Sequence, residues 1–224
     1  MGCTESVPAP STFDVPHKVH PNIEPLGVNH GAAPANHKQE IIVKEKLFSW
    51  SGDSFKIKLR DGRSLGNGLA INGKVWAFRD QMVLLDTVHN TPVAVCLRKF
   101  EVFKQTFKIY TTYPNFPGQT PSDRKLNGTA LFTYARVERI PLSTKQLVFL
   151  EAGKSENPSY TIVRAGSLWP KKRTIHKNGH PAALLQGGTW EGNWNSYLIT
   201  IAPGIDPCLM VCLSAICDEM DEDQ

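Results

Sequence analysis

Met1-Gly-Cys-Thr-Glu-Ser6 places a glycine behind Met1, a cysteine beside it and a small hydroxyl residue at position six. Those residue types at that spacing suit myristoylation of Gly2 once Met1 is removed, with Cys3 open to a reversible palmitoyl chain. The pairing has a physical consequence. One myristoyl chain holds a protein to a membrane only marginally, with an association constant near ~10⁴ M⁻¹, so stable anchoring needs a second chain or a basic patch. Lys171-Lys-Arg-Thr-Ile-His-Lys177 is the densest basic stretch of the chain and supplies a candidate patch. Alternate residues of a strand share a face, so Lys171, Arg173 and Lys177 are expected to point together towards headgroup phosphates, with Lys172 adding charge beside them. There Arg173 would grip a phosphate bidentately while the lysines act as mobile point charges. Lys56, Lys58 and Arg60 form a second candidate face.

Catalytic constellations are missing from the sequence. It holds no G-x-S-x-G nucleophile elbow, no Walker loop and no H-E-x-x-H. His17, His20, His30 and His37 fall in a proline-rich stretch and read as solvated side chains. His89, His176 and His180 sit near turns without local carboxylate or cysteine partners. The five cysteines (Cys3, Cys96, Cys208, Cys212, Cys217) are an odd number and make no disulfide framework, which fits a reducing compartment. Three of them lie on one apolar segment and read as small hydrophobes. The acidic run 218–223 lacks the spacing of a calcium loop. The chain is therefore expected to be non-enzymatic, with no catalytic residue, metal or cofactor.

These side chains need a scaffold, and its clearest element is the last. Asp206-Pro-Cys-Leu-Met-Val-Cys-Leu-Ser-Ala-Ile-Cys-Asp-Glu219 is apolar on nearly every side at helical spacing, so the helix must be enclosed. Roughly a dozen residues fall short of the ~20 that cross a bilayer. Asp206 is placed to cap it, Pro207 suits its first position, and Asp218 and Glu219 are expected to return the chain to solvent. Before it come short strand-like runs. Ser54–Arg60 alternates Phe55, Ile57 and Leu59 with Lys56, Lys58 and Arg60, one face inward and one wet. Asp61-Gly62, Asn72-Gly73 and Asn178-Gly179 are expected turns, and Asn127-Gly128-Thr129 is read as another. Tyr113–Ser122 is expected to be a surface loop between two halves.

Residues 1–40, with six prolines and little apolar content, read as a flexible tether; 41–220 form one domain, and 221–224 an acidic tail. Residues 1–40 hold four acids and two lysines and 218–223 hold five acids, which leaves 23 Lys+Arg against 12 Asp+Glu in residues 41–217. A basic body is drawn to anionic membrane surfaces; nucleic acid is the weaker partner, because no recognised binding motif accompanies the charge. Many short strands ahead of one enclosed helix favour a mainly β fold, a closed barrel threaded by that helix.

Three blocks add a family resemblance. Val43-Lys-Glu-Lys-Leu-Phe-Ser-Trp-Ser-Gly-Asp-Ser-Phe-Lys-Ile57, Phe78-Arg-Asp-Gln-Met-Val-Leu-Leu-Asp86 and Ile201-Ala-Pro-Gly-Ile-Asp206, with the helix and Asp218-Glu-Met220, resemble the LURP-one-related proteins of the tubby C-terminal-like superfamily. The resemblance implies a closed antiparallel β-barrel of about twelve strands enclosing a hydrophobic C-terminal α-helix. Tubby-like relatives bind phosphoinositides and phospholipid scramblases share the fold, while the LURP-one-related branch carries no established catalytic chemistry. The expectation is a lipid-anchored barrel on the cytoplasmic face of a membrane, foremost the plasma membrane. It would bind anionic lipid or serve as an adaptor for a protein partner. Scramblase-like lipid transport and a pure protein-interaction scaffold are the alternatives.

Overall fold

The structure, a computed structural model, describes residues 13–19, 22–45, 54–74, 81–101, 104–151, 156–165, 172–190 and 193–222. Twelve strands close into an antiparallel barrel: β1 (Gln39–Glu45), β2 (Ser54–Leu59), β3 (Ser64–Lys74), β4 (Gln81–Asp86), β5 (Thr91–Glu101), β6 (Lys104–Thr111), β9 (Phe132–Arg139), β10 (Lys145–Leu150), β11 (Tyr160–Ala165), β12 (Lys172–Lys177), β13 (His180–Trp190) and β14 (Asn193–Ile201). Each strand pairs with its predecessor, except that β9 follows β6 across an excursion carrying the small hairpin β7 (Lys125–Leu126) and β8 (Thr129–Ala130). The ring closes where β1 pairs with β14 on one side and β2 on the other, Ile41 lying opposite both Ile199 and Leu59. Closure leaves the barrel no unpaired edge.

Alternation decides what fills the interior. Ile41, Ile57, Phe107, Ile109, Ile162 and Ile199 are buried and belong to one core with the C-terminal helix α1 (Pro207–Glu222). From Cys208 through Leu213 every helix side chain is essentially closed to solvent, as are Ile216, Cys217 and Met220. The helix is the barrel's filling. Asp206 caps it as expected, its Oδ1 accepting the Cys208 and Leu209 amides at 2.9 and 3.1 Å. The helix runs further than expected, however, and Asp221 belongs to it and not to a tail.

Asp61-Gly62 and Asn178-Gly179 turn the chain as expected, between β2 and β3 and between β12 and β13. Asn72-Gly73 does not. Both residues lie within β3, opposite Val83 and Met82. The expected strand over 74–79 falls mostly on residues 75–80, outside the described set.

The proline-rich segment is the larger correction. Residues 13–19 and 22–38 are strapped to the barrel, not loose. Phe13 and Leu26 are completely buried, and Ile23 and Ala32 nearly so. His17 donates its backbone N–H to Pro203 O at 2.8 Å, and Gly204 N–H reaches Ala35 O at 2.8 Å. Two glycines make the close approach feasible. Gly204 (φ +78°) has no room for a Cβ, which would lie 1.9 Å from the His17 carbonyl oxygen. At Gly66 (φ +57°) a Cβ would lie 2.4 Å from His30 O. A side chain at either position would lift the strap away.

Candidate functional site

Gly2, Cys3 and Lys171 lie outside the described residues. The rest of the expected basic face does not assemble. Arg173 takes an inward-facing position on β12, with its side chain only 6% exposed. There its guanidinium pairs with Asp221 at the end of α1, which also lies 3.7 Å from Arg164. Arg139 adds a hydrogen bond from Nη1 to Met220 O at 3.2 Å. Three arginines thus gather at the negative end of the helix dipole, and Arg173 is a fixture of the core. Burial would lower its pKa, but Cys217 and Asp221 outweigh that and hold it above its ordinary value. Lys177 is half-buried, its ammonium donating to Lys18 O at 2.7 Å and lying 5.8 Å from the Tyr160 ring centre; burial pulls its pKa down. Lys172 remains on the partly exposed side. Arg173 shares its face of β12 with Ile175, and that face looks inward.

Two of the histidines are recruited. His30, on a 3₁₀ turn (Val28–His30) of the strap, and His89, on the β4–β5 turn, both contact Asp86 Oδ2, at 3.1 and 3.0 Å. Asn67 donates to the same oxygen at 3.2 Å, while the Val88 and His89 amides reach Oδ1 at 2.9 and 3.0 Å. His89 therefore has the local carboxylate partner expected to be missing, and His30 is no solvated tail residue. His17 is held too, its Nε2 lying 2.9 Å from Pro181 O. Burial would push the Asp86 carboxyl up, but bonds from the His89 ring and backbone, His30 and Asn67 hold it well below the usual carboxylate range. A carboxylate depressed in the folded state adds stability above its unfolded value, and that stability disappears as pH falls through the folded one. Asp86→Asn should therefore lose about 1–2 kcal/mol near neutrality, a drop of a few degrees in Tm. Melting curves should show the deficit at pH 7 and its narrowing below about pH 4.

Cys96, Cys208, Cys212 and Cys217 are free thiols in the core, as expected of small hydrophobes. Burial raises the Cys208 thiol well above its ordinary range and Cys217 to about 11, which keeps both as unreactive thiols at neutral pH. Among the described residues no group of three or more His, Cys, Asp or Glu could hold a metal ion, and no helix is long and apolar enough to cross a membrane.

Exposed positive charge is found elsewhere. Lys56 and Lys58 stand exposed on β2, with Lys44 opposite Lys56 on β1. Arg60, just beyond, is paired with Glu40 at 2.7 Å. A groove of about 500 Å³ nearby, lined by His37, Lys38, Arg60 and Arg63 among others, also holds Glu40 and Asp61, and Asp61 pairs with Arg63 at 2.7 Å. A second cavity, of about 370 Å³, lies against the outer faces of β5 and β6 beneath the excursion. Its lining includes Lys99, Lys108 and Arg124, a group sequence reasoning missed.

A closed twelve-strand barrel filled by its own C-terminal helix defines the class of protein. The LURP-one-related family model matches residues 39–218, and the chain belongs to that family. A solved X-ray structure of an Arabidopsis thaliana protein shares the fold, with a TM-score of 0.54 at 18% identity, over 84% of this chain and 94% of that one. No curated protein matches the chain.

Proposed function

We propose that the protein is a non-enzymatic, lipid-anchored barrel that works at the cytoplasmic face of a membrane, where it binds anionic lipid. The observation that carries this reading is Met1-Gly-Cys-Thr-Glu-Ser6 joined to a body with 23 cations against 12 acids over residues 41–217. Acyl chains at Gly2 and Cys3 and surface cations are complementary anchors, each marginal alone. The filled interior favours a surface-binding role over lipid transport through the barrel, because α1 occupies the space a headgroup path would need. Cations exposed on β2, Lys56 and Lys58, are available to an anionic surface.

Intact-mass measurement of the protein from its own cells tests the anchor directly, since it reads both chains. Gly2→Ala should move the protein almost entirely from the membrane to the soluble fraction, because the myristoylation pattern requires glycine behind Met1. Cys3→Ser should leave weak, reversible association. A Gly2→Ala protein that fractionates with membranes as the parent does would overturn the anchoring.

A further inference from the structure

The strands are joined alternately at two ends of the barrel, and the ends differ in chemistry. One end carries the strap, the start of α1 and the turns at Asp61-Gly62, Thr87–Asn90 and Asn178-Gly179. Gly62, Asn90, Asn178 and Gly179 take the left-handed conformations there, and these are the residue types that tolerate them. The last turn of α1 reaches the other end, where Arg139 holds Met220 O at 3.2 Å. There β1 ends and β2 begins, and the same holds for β3 and β4, β5 and β6, β9 and β10, β11 and β12, and β13 and β14. All five tryptophans of the chain belong to this end. Trp190 closes β13, Trp194 is the second residue of β14, and Trp50, Trp76 and Trp169 fall in the joining sequences 46–53, 75–80 and 166–171. Those three joins lie outside the described residues, and connectivity alone assigns them to this end.

The β9–β10 turn is the join at this end whose residues are all described. Ser143 N–H reaches Ile140 O at 3.2 Å and closes the turn Ile140-Pro141-Leu142-Ser143. Leu142 has φ +57°. Proline followed by a left-handed residue is the pattern in which glycine or asparagine normally takes the third place. Among the described residues the other non-glycines at positive φ are Asn90, Asn127 and Asn178, so Leu142 is the one bulky side chain held this way. It is also completely exposed, more so than Val15, Val19 or Val88. A leucine that strains its backbone and leaves its side chain in water does nothing for the stability of the fold. Strain kept without such a return points to a contact outside the chain.

We propose that this end of the barrel docks on a lipid bilayer, with the Leu142 side chain entering the headgroup region and the tryptophan-bearing joins lying at its level. The proposal rests on the membrane reading above and deepens it by naming the surface that meets the lipid. Indole rings favour the interfacial layer, which accommodates both an apolar body and an N–H donor. Apolar residues spread over several joins around a ring suit a broad, deformable surface. Charge fits as well. Lys56, the third residue of β2, and Lys145, the first of β10, are exposed beside this end, and Lys172, the first of β12, is partly so. Such side chains lay their stems along apolar surface and keep the ammonium among the headgroups. Two acids at the end of α1 are compensated in the barrel mouth, Asp218 by Tyr197 and Asp221 by Arg164 and Arg173. Acyl chains hold the protein at the surface, and this contact orients it there.

The test uses the full chain from its own cells and phosphatidylcholine vesicles whose acyl chains carry bromine, at shallow or deep positions, to quench nearby indole. Tryptophan emission of the parent should move to the blue and be quenched more by the shallow bromines. Leu142→Asp should weaken vesicle partition roughly tenfold, as expected for withholding one leucine from an apolar environment, and should lessen the quenching. Leu142→Gly should lose a similar share of binding and melt no lower than the parent, because glycine accepts the positive φ. A leucine with a merely structural role would not show that combination. Val15→Asp makes the same change of charge on the strap, at a valine that is 56% exposed, and should alter partition less than about twofold. Partition with unquenched tryptophans, or equal losses in Leu142→Asp and Val15→Asp, overturns the docking and leaves the acyl anchor standing. Quenching that survives Gly2→Ala at high lipid upholds the docking independently of acylation. A parent chain that does not associate with vesicles at all overturns both.

Discussion

Leu213→Asp should yield a chain that does not fold. Leu213 is completely closed to solvent halfway along α1, inside a barrel whose inward side chains are aliphatic or aromatic on most strands. A carboxylate there would lose its hydration without gaining a partner, at a cost of several kcal/mol whether it ionises or takes up a proton. Domains of this size hold only about 5–15 kcal/mol of net stability, and the substitution also discards the packing of the leucine. Expression should give insoluble protein, and any soluble fraction should show no cooperative thermal transition by circular dichroism. Two controls separate burial from chemistry. Leu213→Met conserves volume and should cost less than about 1.5 kcal/mol. Leu142→Asp alters a leucine that is fully exposed and should melt within about 1 °C of the parent. A soluble Leu213→Asp chain with a sharp transition would mean that the helix does not fill the barrel.

That helix was legible because it has no water-tolerant face, and enclosure follows from composition alone. The Ser54–Arg60 alternation similarly reported one wall of the barrel, with Ile57 in and Lys56 and Lys58 out. What stayed hidden depends on partners far away in sequence. β3 carries Gly66, Gly68 and Gly73 and looks interrupted, yet Gly66 and Gly68 are where the strap and the turn after β4 come close. The strap shows no periodicity, yet Phe13, Ile23 and Leu26 are buried, the last two in one core with the barrel and helix. His30 and Asp86 are 56 positions apart, so no local pattern joins them. Arg173 shows a subtler limit. Period-two reasoning sorts residues into faces but does not say which face looks inward, and the Asp221 partner that settles it lies beyond the last strand. Lys108 and Arg124 line one cavity because the excursion doubles back over β6, where Tyr110 and Leu131 share a buried cluster.

Asp206→Ala should be the most damaging substitution of a polar side chain, because one carboxylate serves three parts of the fold. Its Oδ1 takes the first free amides of α1, and its Oδ2 accepts the strap's Leu26 N–H at 2.7 Å and the Tyr134 hydroxyl of β9 at 3.3 Å. Removing it strands four donors in the interior at about 1–3 kcal/mol each; because such losses are not additive, the expected total is on the order of 5 kcal/mol. The helix start and the strap should loosen together, so amide exchange should accelerate at Leu26 as well as at Cys208 and Leu209. Asp206→Asn keeps an acceptor and should lose less. Its pH dependence is diagnostic. Burial raises the Asp206 carboxyl above its ordinary value despite the bonds from Leu26, Leu209 and Cys208, so the folded chain binds the proton more tightly than the unfolded chain does. Stability from this group therefore falls as pH rises from the unfolded value, about 3.9, through the folded one. The deficit of Asp206→Asn relative to the parent should be largest in acid and narrow as pH rises across that window. Asp86→Asn should behave in the opposite sense, its deficit growing with pH. Chemical denaturation of the two variants between about pH 3 and pH 8 reads both slopes, and slopes of the same sign would mean that Asp206 is not held as a buried, proton-retaining cap.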